Sequence, residues 1–192
     1  MLRKNNTLLL IALLAIISCN QSSTDAAKQT DAAGMDWKKQ FNQTLPLLGH
    51  RNWIIVADKA FPQQNAAGME IINTNENLLT VLNYVLKQVN SSAHVKPIIY
   101  RDKELSFITE GQAKGVKQFV SESEQVFKGK PVQTILHDSV FTKLDQASKL
   151  FKIVVLKTNE TIPYTSVFLQ LDCAYWSAEK EKQLRSNMIT PQ

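Results

Sequence analysis

Five consecutive apolar residues, Trp53 to Ala57 with β-branched Ile54, Ile55 and Val56 at their centre, break a polar stretch between Gly49 and Pro62. A run this short and this continuous predicts a strand covered on both faces, as in a parallel α/β sheet. "VKPIIY" (95–100), "PVQTIL" (131–136), "KIVVLK" (152–157) and "YTSVFLQLDC" (164–173) predict four more strands. Between them the apolar period lengthens to that of a helix. Trp37, Phe41, Leu45 and Leu48 fall on one side of a segment that Asp36 caps and Pro46 ends or bends. Leu78, Leu79, Leu82, Val85, Leu86 and Val89 form a second stripe, with Asn73 and Glu76 as a capping pair. Val116, Phe119, Val120 and Phe127 form a third, stopped by Gly129. Val140, Phe141, Leu144, Ala147 and Phe151 form a fourth, capped by Asp138 or Ser139. Strands alternating with helices predict an α/β fold with a largely parallel sheet and helices on both faces.

The N-terminus has a different pattern. Arg3 and Lys4 precede the apolar stretch "TLLLIALLAIIS", which is short for a membrane span and runs directly into Cys19. The Ile16-Ile17-Ser18-Cys19 junction resembles the lipobox of bacterial lipoproteins, in which the cysteine is lipidated and becomes the mature N-terminus. An ordinary signal peptide and an uncleaved anchor are the other readings. The lipoprotein reading divides the chain into a signal peptide (1–18), a polar flexible tether (19–35), a single domain (36–176) and a C-terminal tail (177–192). It places the protein in the bacterial cell envelope, exported and held to a membrane by lipid on Cys19. Which membrane and which face stay open.

Charge and cysteine content narrow the chemistry. Removing residues 1–18, which hold Arg3 and Lys4 and no acid, lowers the formal charge from +5 to +3. The remaining bias is spread along the chain, without a basic cluster interleaved with aromatics, so no nucleic-acid partner is expected. With Cys19 lipidated, Cys173 has no disulfide partner and reads as a small hydrophobe. Metal spacings are missing from the sequence, so no dedicated metal site is expected, and the nucleophile elbow, phosphate loops and dinucleotide fingerprint are missing too. Of the three histidines, His94 sits in a loop, whereas His50 and His137 each adjoin a predicted strand end. Polar groups at such ends commonly line the ligand crevice of α/β sheets.

"LGHRNWIIVADKAFP" (48–62) resembles the Gly-His…Asp-Ala…Pro signature of the D-ribose pyranase and L-fucose mutarotase (RbsD/FucU-like) family. "FKIVVLKTNETIPYTSVFLQL" (151–171) is similar to that family's strand, loop and tyrosine step into the last strand, and the resemblance covers roughly residues 37–172. It implies an RbsD-like fold and a mutarotase or pyranase activity, an isomerase that opens and recloses the ring of a free monosaccharide without a cofactor. It implies His50 as the catalytic acid/base, and Asp58, His137, Tyr164, Thr165 and Ser166 as the groups that hold the sugar. Histidine suits the task because its ordinary pKa lies near neutral pH. Ser166 stands where the family usually has asparagine, Lys59 where it has a small residue, and 26 residues follow Ser166 where related chains end sooner. These departures favour an alternative: a non-catalytic sugar-binding lipoprotein that retains the fold. The relatives form large rings. The short tether and the aromatic tail, with Tyr175 and Trp176 expected to pack on the domain, instead predict a monomer or small oligomer.

Overall fold

The structure, a computed structural model, describes residues 36–189, so Cys19, the signal segment and the tether lie outside the described residues. Six strands form one sheet: β1 (Trp53–Ala57), β2 (Met69–Asn73), β3 (Val95–Asp102), β4 (Val132–Ile135), β5 (Ile153–Lys157) and β6 (Val167–Cys173). Their spatial order is β2-β5-β1-β6-β3-β4. β1 pairs parallel with β5, β5 with β2, and β3 with β4. Only β6 runs the other way, antiparallel to both β1 and β3. The sheet is therefore largely parallel, with one reversed strand near its middle.

Five helices accompany it: α1 (Trp37–Thr44), α2 (Leu78–Asn90), α3 (Val116–Phe127), α4 (His137–Ser148) and α5 (Ala178–Ile189). The side-chain period of two assigns each strand residue to a face. On β1, Ile54 and Val56 join the residues of α1, α2 and α3 in one core, whereas Trp53, Ile55 and Ala57 face the other side with Val140 and Leu144 of α4. Every residue of β1 is buried for this reason.

Local chemistry fixes most helix ends where the sequence suggests, with informative exceptions. Asp36 caps α1 by accepting the Lys38 N–H, and Pro46 falls in a 3₁₀ turn, Leu45–Leu47, that closes it. The cap of α2 is Asn77, which accepts from the Leu79 and Thr80 N–H groups. Asn73 instead ends β2, and Glu76 instead accepts from the Trp37 indole at 2.9 Å. α4 starts at His137, ahead of both predicted caps, Asp138 and Ser139, because its first N–H is taken by a side chain from elsewhere: both Glu104 oxygens lie 3.1 Å from His137 N. That carboxylate also suits the positive end of the helix dipole. The 177–192 tail carries α5. Tyr175 and Trp176 do not pack on the domain as expected: they are 70% and 41% exposed, and the Trp176 indole donates to Glu181 of α5. Among the described residues no helix is long and apolar enough to cross a membrane.

Candidate functional site

β1, β3 and β4 end at one edge of the sheet, and the antiparallel β6 begins there. Asp58 follows β1, Asp102 ends β3, His137 opens the helix after β4, and Tyr164, Thr165 and Ser166 lead into β6. An open cavity of about 220 Å³ at this edge is lined by Asp58, His137, Tyr164 and Ser166, with Phe61, Phe141 and Pro163 among its apolar walls.

Each polar group is held in place. The Ser166 hydroxyl accepts the Asp58 N–H and donates to Asp58 Oδ2, both at 3.0 Å, while Asp58 Oδ1 accepts the Ala60 N–H at 2.9 Å. The loop carrying Phe61 is tied down by Lys157, whose ammonium donates to the Phe61 carbonyl at 2.7 Å. Tyr164 follows Pro163 with φ of 60°, a left-handed conformation that a bulky side chain adopts only under constraint. Thr165 supplies that constraint: its buried hydroxyl donates to the Ile162 carbonyl at 2.7 Å. Thr165 therefore shapes the turn and does not line the cavity. Lys59 is directed to Asn159, at 3.2 Å, and is not among the lining residues.

His137 lies between two rings, 4.7 Å from that of Phe141 and 5.1 Å from that of Tyr164, centroid to centroid. Its Nδ1 is 2.9 Å from Asp102 Oδ2. Asp102 is fully buried at its side chain, and Oδ1 has no hydrogen-bond partner. Burial pushes this carboxyl up to about 6; the His137 hydrogen bond opposes that rise, and the charges of Glu104 and Asp58 add to it.

His50 is elsewhere. It precedes β1 while Asp58 follows it, and five extended residues span roughly 16 Å, so the two side chains meet opposite edges of the sheet. His50 Nε2 lies 3.6 Å from Asp172 near the far end of β6, at the rim of two other cavities, of about 400 and 590 Å³. The expected convergence of His50, Asp58, His137 and Tyr164 on one pocket is thus corrected: the last three line one cavity and His50 lines others. His94 is structural, its ring nitrogens bonded to Ser92 Oγ and the Leu48 carbonyl. Asp102 and Glu104 belong to no motif of the resemblance; their one sequence signal is a carboxylate at a strand's C-terminal end, in "IIYRDKE". Among the described residues no group of three or more His, Cys, Asp or Glu side chains is placed to hold a metal ion.

This edge gives a largely parallel α/β domain a polar cavity where its strands end. The chain belongs to the RbsD / FucU transport protein family, whose model matches residues 38–173. α5 falls outside that match. Among solved structures the chain is similar to RbsD of Bacillus subtilis complexed with D-ribose, at 19% identity over 68% of this chain and 89% of that one, with a TM-score of 0.48. It is similar to the fucose mutarotase of Streptococcus pneumoniae in complex with L-fucose, at 18% identity over 68% and 89%, with a TM-score of 0.47. It is also similar to FucU of Bifidobacterium longum, at 14% identity over 69% and 92%, with a TM-score of 0.46. No curated protein matches the chain. Membership rests on the family match, not on these three distant likenesses.

Proposed function

We propose that this chain binds a free monosaccharide between Asp58, His137 and Tyr164 and catalyses opening and reclosing of its ring, as an isomerase of the mutarotase or pyranase type. The observation that carries the reading is the juxtaposition of a carboxylate and an imidazole across a small cavity walled by aromatic rings. At about 220 Å³ the cavity is below the 300–1,000 Å³ of sites for drug-sized ligands and matches a small polar one. Ring opening needs a base for the anomeric hydroxyl proton and a proton for the ring oxygen. His137 serves as the base, because Nδ1 is engaged by Asp102 and Nε2 is left for a ligand. Asp58 accepts hydrogen bonds from sugar hydroxyls, and the rings of Phe61, Phe141 and Tyr164 face its apolar C–H surface. No cofactor enters the reaction. His50, to which the resemblance assigns the acid/base role, lines other cavities and not this one.

The rival reading is a sugar-binding lipoprotein without catalysis. What favours it is Ser166, whose hydroxyl is fully engaged with Asp58 rather than free for a ligand. Exchange NMR on ribose, fucose, galactose and glucose, with and without protein, separates the two. Faster interconversion of anomers or ring forms for one sugar supports the enzyme, whereas binding of a sugar without acceleration supports the rival. We also propose that the protein is a monomer or small oligomer anchored through Cys19. Light scattering on residues 36–192 tests the assembly, and a ring-sized particle refutes it.

A further inference from the structure

We propose that Asp102 is a positioning residue for His137: its buried carboxylate fixes the imidazole with Nδ1–H inward and Nε2 basic toward the ligand. This inference rests on the ring-opening reading for its kinetic consequence, but not for its structural content.

The argument starts from what a buried carboxylate costs. Asp102 has no exposed side-chain area, and one of its oxygens has no partner. A buried, half-satisfied charge destabilises a fold, and an apolar or amide group of similar shape does less harm. The sheet does not need it. β3 and β4 pair through the backbone, with Asp102 opposite Ile135, and that ladder is indifferent to the side chain. What Asp102 does touch is the one imidazole in the cavity.

Three other contacts leave that imidazole little freedom. Its backbone N–H is held by both Glu104 oxygens, and its ring lies between Phe141 and Tyr164. With the ring orientation set by packing, the Asp102 bond selects the tautomer, since an ionised carboxylate accepts only and Nδ1 must donate. In ring opening the anomeric hydroxyl then gives its proton to the Nε2 lone pair, the carbonyl forms as the bond from the anomeric carbon to the ring oxygen breaks, and that oxygen takes a proton from a water, leaving a hydroxide that takes the proton back when the hydroxyl recloses on the carbonyl. The imidazolium formed is stabilised by Asp102 and returns its proton when the ring recloses. The charged groups facing Asp102 are His137 from α4, Glu104 from the segment after β3 and Asp58 from the loop after β1. Both carboxylates raise its proton affinity. The raised Asp102 pKa of about 6 leaves the carboxylate ionised above neutral pH, where the bond to Nδ1–H is complete.

The test is long-range ¹⁵N–¹H correlation spectroscopy of His137 in the full chain, with Asp102→Asn and Asp102→Glu beside wild type. Above pH 7 the wild type is expected to show the tautomer protonated at Nδ1. In Asp102→Asn the side-chain amide can donate to Nδ1, so population is expected to move to the Nε2–H form, with Asp102→Glu restoring part of the original signal. Wild-type His137 protonated at Nε2, or an unchanged tautomer in a folded Asp102→Asn, overturns the proposal. Because the wild-type spectrum decides by itself, a variant that fails to fold does not leave the question open. For a sugar whose interconversion the protein accelerates, Asp102→Asn is expected to lower the rate at least tenfold with sugar affinity within about twofold. An equal loss of rate and affinity marks a merely structural role and overturns the proposal. Absence of acceleration by the wild type, with the expected tautomer intact, refutes the ring-opening reading alone.

Discussion

Ser166→Ala removes a hydroxyl that ties the end of β1 to the start of β6. Its oxygen accepts the Asp58 N–H and donates to Asp58 Oδ2, each at 3.0 Å, and the residue is only 3% exposed. The gap left by one oxygen is smaller than a water needs, so the Asp58 N–H loses its partner without replacement, at about 1–3 kcal/mol. The carboxylate fares better, because it keeps the Ala60 N–H and faces the open cavity, where water replaces the lost donor. The two effects together predict a loss of about 2 kcal/mol, which for a domain of this size lowers Tm by roughly 4–8 °C. Urea unfolding followed by circular dichroism measures it, with an unchanged m-value showing that the folded and unfolded states are otherwise comparable. Sugar affinity is expected to fall in the same variant, since Asp58 is then anchored at one oxygen only. A stability change below about 0.5 kcal/mol, the scatter of ordinary surface substitutions, refutes the assignment of Ser166 as the anchor of Asp58.

Gly68→Ala is expected to destabilise by about 2–3 kcal/mol, because the added Cβ would lie within 2.6 Å of the backbone oxygens of Ser148 and Phe151; an unchanged Tm contradicts that packing. For Asp102 the folded pKa, about 6, lies above the ordinary carboxylate value of 3.8. The folded state therefore binds the extra proton, and wild-type stability falls as pH rises from about 4 to about 6. The Tm of Asp102→Asn relative to wild type is accordingly expected to climb over that window and level off above it, and a flat difference in thermal melts from pH 4 to pH 7 refutes the burial argument. Cys19→Ala is expected to abolish lipid labelling and free the protein from membranes, and unchanged fractionation disposes of the anchor.

Most of the fold is legible in the sequence because its signals are local. The strand at 53–57 and the stripe of α2 follow from the spacing of apolar residues alone. β2 is not legible in this way. "MEIIN" is a short edge strand with one buried residue, and it earns its place by pairing with β5, some eighty positions later. α5 has no apolar face to mark it, although its Glu, Lys and Leu content favours a helix. The cap of α4 comes from Glu104, which no window around His137 contains. In the candidate site, Asp58 and His137 are readable as polar groups at strand ends, whereas Tyr164 and Ser166 come only from the family resemblance. The separation of His50 from Asp58 was equally readable: a strand predicted between two residues keeps them apart by its own length. Asp102 is not legible in the sequence, since what sets it apart is burial, which composition and spacing do not express.

The central claim is that ring opening takes place at the Asp58–His137 edge of a single chain. The measurement that tests it most directly is exchange NMR of one accelerated sugar with wild type, His137→Ala and His50→Ala side by side, each shown by chemical-shift titration to bind that sugar. The account predicts that His137→Ala abolishes the acceleration while sugar binding persists, and that His50→Ala, at an exposed position on the opposite edge, leaves the rate within about twofold of wild type. Full acceleration by His137→Ala, or its loss in His50→Ala with binding intact, contradicts the account.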